Sequence, residues 1–297
     1  MRRDLNLVAA CGLAALLLSA ASCGGDGSAQ ADRPTVVVTT TILGEVVAEV
    51  VGDLAAVDVV MPIGADPHEF APSARQAEAM AIADLLVING AGFEGGMSDV
   101  IEQAEADGAP LFDASTHADL VDDDPHLWMD PQRMAAVTEA LATRLADVEG
   151  IDVTAVRANA DAYVQQLTAL DAEIHDELTP IPADRRVLVT NHDVLGYFAD
   201  RYDLHIVGAV IPSLTTAAEP SAADLEQLAA TISETGVSTI FAETTQPVEL
   251  ADALAEEVGA VGVVELFTES LGEPGSGADT YVGMMRTNAE LIATGLA

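Results

Sequence analysis

The sequence predicts an α/β protein of two lobes, each a parallel sheet flanked by helices, joined by one long spanning helix. Two observations carry this reading. Short β-branched runs ended by turn residues recur along both halves and alternate with helix-like segments, as in parallel sheets covered by helices. Between the halves, a stretch free of glycine and proline keeps a single apolar helical stripe.

The strand-like runs are Thr35–Thr41, Val57–Met61, Asp84–Asn89, Val187–Thr190, His205–Val210, Thr239–Ala242 and Gly262–Leu266. Helix-like segments such as Ile42–Val51, Ser73–Ala81 and Ala222–Glu234 lie between them. In the connector, from Val153 to Leu178, apolar residues recur at Tyr163, Leu167, Leu170, Ile174 and Leu178. At 1.5 Å per residue this is a helix of about 38 Å. The prolines of "TPIPAD" at 179–184 stop it. A flexible hinge would be richer in glycine and proline, so a rigid connector is expected. The lobes then span 35–150 and 185–297, with the connector and its exit loop at 151–184.

The N-terminus indicates export. Met1-Arg2-Arg3 precedes an apolar run from Leu5 to Ala21, a signal-peptide layout too short to span a bilayer comfortably. "SAASC" resembles a bacterial lipobox, so residues 1–22 are expected to be removed and Cys23 to carry lipid. The glycine-rich stretch within 23–34 then serves as a tether. The expected location is the outer face of the cytoplasmic membrane, or the periplasm if lipid is not added. The chain has two cysteines, and Cys11 leaves with the signal. None remains for a disulfide or a thiolate metal site.

Charge excludes some functions. Eleven basic residues face 49 acidic ones, for a net charge of −38, and lysine is absent. Nucleic-acid binding requires neutralised phosphates and is excluded by this balance. A Walker-type phosphate loop is excluded because its lysine does not exist here. Acidity alone does not identify a cation binder, since it also keeps proteins soluble.

The chemistry concentrates in histidine. Two of the six histidines, His68 and His126, follow identical Asp-Pro steps in "ADPHEFAPS" and "DPHLWMDP". Proline fixes its own φ and extends the residue before it, so each ring is presented from a stiff turn. His192 in "TNHDVLGYF" follows a buried strand, and ligands in open α/β sheets collect beyond the carboxyl ends of strands. The other three read as structural or solvated. His175 lies near the end of the long helix, where a cation suits the dipole. His205 starts a strand and is expected to pack in its lobe, and His117 sits in an acidic loop. Among carboxylates, Asp279 follows a glycine-rich segment and precedes a helix. From the residues alone, an N-cap is its first reading and ligation its second.

From Thr35 to the C-terminus, the motifs resemble those of the metal-binding solute-binding proteins of bacterial ABC transporters, the zinc- and manganese-handling group. The matching segments are "DPHEFAPS", "DPHLWMDP", "TNHDVLGYFADRYDL", "AEPSAADLEQL", "IFAETTQP" and "DTYVGMMRTN", in the family's order. The resemblance implies a metal ion in the interlobe cleft, with His68, His126 and His192 as nitrogen ligands and Asp279 as the carboxylate. It places Glu243 behind the ligands, orienting an imidazole or serving structure alone, with Glu69 a further contributor.

It implies an extracytoplasmic receptor that hands its ion to a permease driven by a separate ATPase. A metallochaperone is a further candidate partner, and a monomer is expected. Histidine at 192 goes with the zinc-type members and glutamate there with manganese types. Imidazole donors also suit Zn²⁺, so Zn²⁺ is the expected ion and Mn²⁺ the alternative. The histidine-rich loop of some zinc-type relatives is replaced by the acidic "THADLVDDDPH". No enzymatic activity is expected, since a secreted zinc hydrolase would need an open coordination position and the chain lacks His-Glu-x-x-His. A surface adhesin has no support beyond surface display.

Overall fold

A computed structural model describes residues 33–259 and 261–297. The expected signal peptide, Cys23 and most of the tether lie outside the described residues.

The first half contains four strands, β1 (Thr35–Val38), β2 (Ala56–Val59), β3 (Leu85–Ile88) and β4 (Leu111–Asp113), and four helices, α1 (Thr41–Val51), α2 (Ala74–Ala81), α3 (Ser98–Ala106) and α4 (Pro131–Leu145). The long helix α5 (Val153–Leu178) follows. The second half contains β5 (Val187–Thr190), α6 (Gly196–Tyr202), β6 (His205–Ala209), α7 (Ala222–Thr235), β7 (Thr239–Glu243), α8 (Glu249–Val258), β8 (Gly262–Leu266) and α9 (Tyr281–Gly295). Each half builds one sheet, ordered β2-β1-β3-β4 and β6-β5-β7-β8. Every pairing is parallel. The two lobes thus repeat one topology, and all carboxyl ends of a given sheet open on the same side.

All seven expected strands are present: β5 and β8 match their expected bounds, β7 is one residue longer, β2 is shifted towards the N-terminus, and β1, β3 and β6 are shorter by one to three residues. The eighth, β4, has only three residues and lacks the run length that marks the others. The central strands are buried throughout their apolar positions, as at Leu85–Ile88. Helix starts follow capping chemistry. Ser73 and Gln76 form a capping box on α2, and Ser221 and Asp224 form another on α7. Asp130 caps α4, with Pro131 in the first helical position.

Asp152 caps α5 by accepting from the backbone N–H groups of Thr154 (2.9 Å) and Ala155 (3.2 Å). The helix runs 26 residues and ends before Pro180. Its buried stripe is Val156, Ala160, Tyr163, Leu167, Leu170, Ile174 and Leu178. One hydrophobic cluster joins this stripe to Val46 of α1, Leu141 of α4, Phe198 of α6 and Met284 of α9. Burying each of these leucine-sized side chains contributes about 1.5–3 kcal/mol, so the connector is held along its whole length. The outer faces of the sheets pack separate clusters, around Leu86 and Met97 in the first lobe and Val189 and Ile240 in the second. His205 differs from expectation. It starts β6, an edge strand, and is exposed to solvent instead of packed.

Candidate metal centre

Four loops, each beyond the carboxyl end of a strand or entering a helix, bring four side chains to one point. His68 lies between β2 and α2, His126 just before the turn Leu127–Met129, His192 after β5, and Glu269 after β8. His68 is 7% exposed, His126 and His192 0%, and Glu269 1%. One donor atom from each lies within 4.8 Å of all the others.

The repeated Asp-Pro-His step does two things. In both copies the aspartate accepts a hydrogen bond from the histidine's own backbone N–H, at 2.9 Å for Asp66 and 3.0 Å for Asp124. This closes the turn around the proline. Only Asp124 also takes the ring, with Oδ1 2.7 Å from His126 Nδ1. Asp66 turns its other oxygen outward, to Thr216 Oγ1 (2.7 Å) and Gln246 Nε2 (2.6 Å) of the second lobe.

His192 Nδ1 is paired with Glu243 Oε1 in a short contact, and Glu243 Oε2 accepts from Thr268 Oγ1 at 2.8 Å. Carboxylates on both Nδ1 atoms assign the proton there and leave Nε2 of His126 and His192 free to ligate. These Nε2 atoms are 3.3 Å apart. Glu269 Oε1 lies 2.9 Å from His68 Nε2, 3.3 Å from His192 Nε2 and 3.7 Å from His126 Nε2. A tetrahedral ion with bonds of about 2.0–2.1 Å would space its ligands by about 3.3 Å, so the cluster has the size of such a cage. His68 Nε2 and Glu269 Oε1 have no hydrogen-bond partner despite their approach. Both are aimed into the centre, where a cation would satisfy them.

The electrostatics fit an ion as well. Burial lowers the pKa of the His192 imidazole, but the Glu243 and Glu269 carboxylates outweigh it and carry the group up to about 10. Burial likewise opposes protonation of His126, and its bonds to Asp124 and Glu269 prevail, raising it. Burial would raise Glu269, yet the three imidazoles around it hold it well below the usual carboxylate range. Without a cation, the surrounding carboxylates favour the protonated forms of His126 and His192, and a bound ion would take the place of those protons at Nε2.

Two expected residues are elsewhere. Asp279 is exposed, and its Oδ2 accepts from the backbone N–H of Gly275 at 2.8 Å. It closes the loop in which Gly275 (φ 84°) and Gly277 (φ 87°) take left-handed conformations that other residues rarely adopt. Nor does it cap α9, because Thr280 does so through Gly283 N–H at 3.0 Å. The carboxylate in the cage is Glu269, ten residues earlier. A signal for it was present in "VVELFTES", an acid just beyond a buried strand's carboxyl end. Glu69 is also exposed and does not join the cluster. Of the remaining histidines, His117 stacks on Phe112 with ring centroids 5.0 Å apart. His175 lies exposed in the last turn of α5.

Two α/β lobes on a spanning helix, with donors from both meeting between them, define a metal-binding solute-binding protein of an ABC transporter. The family described as "Zinc-uptake complex component A periplasmic" (ZnuA) matches residues 36–295, and the chain belongs to it. Among its relatives, the zinc-binding protein TroA of Treponema pallidum is 32% identical over 92% of this chain and 92% of its own. The manganese-binding lipoprotein MntA of Halalkalibacterium halodurans is 29% identical over 95% of this chain and 96% of its own. The solved structure of T. pallidum TroA superposes with a TM-score of 0.83 at 30% identity, covering 89% of this chain and 99% of that one.

Proposed function

We propose that this protein captures Zn²⁺ between its lobes and delivers it to a membrane permease driven by a separate ATPase. The observation that carries this is the convergence of three buried imidazoles and one buried carboxylate, from four separate loops, within 4.8 Å. A donor set rich in imidazole suits Zn²⁺ better than Mn²⁺, which prefers oxygen ligands and water. Four protein donors also fill a tetrahedral ion's positions, which suits cargo held and released more than a hydrolytic metal that needs a vacancy. One chain supplies the whole cage, so a monomer is sufficient. No helix among the described residues is long and apolar enough to cross a membrane, and attachment to the outer face of the cytoplasmic membrane is proposed through lipid on Cys23. Mn²⁺ is the second reading, favoured by the similarity to a relative named for manganese.

The test is a competition titration of the metal-stripped full chain with Zn²⁺ and Mn²⁺ against a chelator of known affinity. One Zn²⁺ per chain, bound more tightly than Mn²⁺, is the expected result. A preference for Mn²⁺ would move the assignment to the second reading, and failure to bind either ion would sink both.

The same titration across pH checks the electrostatics. Since the His192 imidazole is held up to about 10 and His126 is raised too, an incoming ion must displace protons throughout the neutral range. Zn²⁺ affinity therefore falls as pH falls from 8 to 6, by about tenfold per pH unit for each proton displaced. Affinity independent of pH would show that the rings are already neutral. Replacing Glu243 by glutamine should weaken Zn²⁺ by about 10–100-fold, because the amide no longer anchors the Nδ1 proton of His192 as a carboxylate does. Unchanged affinity in that variant would reduce Glu243 to a packing role.

A further inference from the structure

The first lobe's half of the cage rests on a segment with no assigned role, Asn89–Gly96 ("NGAGFEGG"). Its Glu94 is 4% exposed and, among the described residues, has no cationic partner. Instead it accepts from Thr39 Oγ1 (2.7 Å), Asn89 N–H (2.6 Å) and Gly90 N–H (3.1 Å). Burial pushes this carboxyl up while these donors pull against it. The carboxylate thereby closes the loop on itself across a run of left-handed residues, Gly90 (φ 82°), Ala91 (φ 51°) and Gly92 (φ 76°). A backbone curled this tightly, one residue of it not glycine, needs an internal acceptor to hold it.

What the loop holds is the pair of Asp-Pro-His turns. Asn89 Nδ2 donates to Pro125 O at 2.9 Å, one residue before His126. Phe93, 1% exposed, sets its ring nearly perpendicular to both imidazoles, with centroids 5.0 Å from His68 and 5.9 Å from His126. Gly95 and Gly96 lie directly under the His68 turn. A Cβ on Gly95 would come within 2.9 Å of His68 O, and one on Gly96 within 2.8 Å of the Glu69 carbonyl carbon. One loop thus touches the backbone of both turns and the rings of both histidines.

We propose that Asn89–Gly96, closed by Glu94 and acting through Phe93, is the positioning element that sets the spacing of His68 and His126 and so tunes the cage to a small four-coordinate ion. This rests on the metal-binding reading above. Glu94 and Phe93 are positioning residues that never touch the ion. Glu94→Gln keeps the shape but turns an amide donor toward a backbone donor, leaving two N–H groups opposed. Phe93→Leu leaves the Glu94 network intact and removes the ring.

Both variants are tested in the full chain, together with the wild type, by three readings. These are the unfolding midpoint of the metal-free protein, Zn²⁺ affinity by chelator competition, and the visible spectrum of bound Co²⁺, which absorbs more strongly in four-coordinate than in six-coordinate sites. At a temperature where each variant is folded, we expect Zn²⁺ binding at least tenfold weaker and loss of the four-coordinate Co²⁺ bands. A lowered midpoint with wild-type Zn²⁺ affinity and Co²⁺ spectrum would overturn the proposal, leaving the loop a structural role only. If Glu94→Gln does not fold, Phe93→Leu decides alone by the same two criteria. Failure of the wild type to bind Zn²⁺ and Co²⁺ would instead overturn the metal-binding reading.

Discussion

Glu269→Ala should weaken Zn²⁺ binding by more than about a hundredfold, while Asp279→Ala leaves it within about twofold of wild type. Partners behind a metal ligand already cost about 10–100-fold when removed, and a ligand itself should exceed them. Glu269 Oε1 lies among three imidazole Nε2 atoms, so its loss would remove one of four donors and the single carboxylate of that cluster. Glu269→Gln separates the two contributions, since it keeps the shape and an oxygen donor but removes the charge. Its affinity should fall between those of the wild type and Glu269→Ala. Asp279, by contrast, is exposed and engages only its own loop, where substitutions away from special features usually change stability by under about 0.5 kcal/mol. Chelator competition on the three variants checks this. Strong loss in Asp279→Ala with little in Glu269→Ala would mean that the ion is held by a different set of donors.

The second large effect concerns stability. Trp128→Ala should destabilise the protein by about 3–5 kcal/mol, the range for emptying a buried aromatic site. Trp128 is 2% exposed, packs 4.5 Å from Phe93 between ring centroids, and stands edge-on to His126 at 5.4 Å. It also joins the lobes. Its indole N–H donates to Thr268 O at 2.6 Å, and its carbonyl accepts from Tyr281 Oη at 2.7 Å. The substitution therefore leaves a cavity beside the cage and strands Thr268 O without its donor. Since this is the chain's single tryptophan, unfolding of the variant is followed by circular dichroism in urea. A loss below about 1 kcal/mol would show that the site collapses to fill the space.

Legibility in the sequence followed the range of the interactions. The long helix could be read from Val153 to Leu178 because everything that defines it is local. A capping aspartate stands at 152, one stripe repeats down its length, and Pro180 follows its end. Most strands could be read for the same reason. Three-residue β4 could not, because its pairing with β3 is a contact between distant segments rather than a run of its own residues. The two Asp-Pro-His turns announced their stiffness through proline, and the structure brings His68, His126 and His192 together. The role of the loop Asn89–Gly96 is not legible in the sequence, since glycines in a turn look alike whether or not they lie under a functional backbone.

Local chemistry therefore determined a great deal by itself: the α/β class, the spanning connector, the acidic lysine-free surface, and three histidines presented from stiff or strand-terminal positions. Only the tertiary structure decided which carboxylate completes the set. Asp279 and Glu269 carry the same chemistry in the one connection between β8 and α9, and although Glu269 stands just beyond a strand's carboxyl end, the local sequence does not say which of the two turns inward. The packing of β8 beside β7 places Glu269 at the cleft beside Glu243 and His192. The glycine turn at 275–277 instead folds Asp279 back onto Gly275 N–H. A cage is a coincidence of four loops in space, and that coincidence is set by strand order and packing, which residues 58 to 201 positions apart cannot express in their own neighbourhoods.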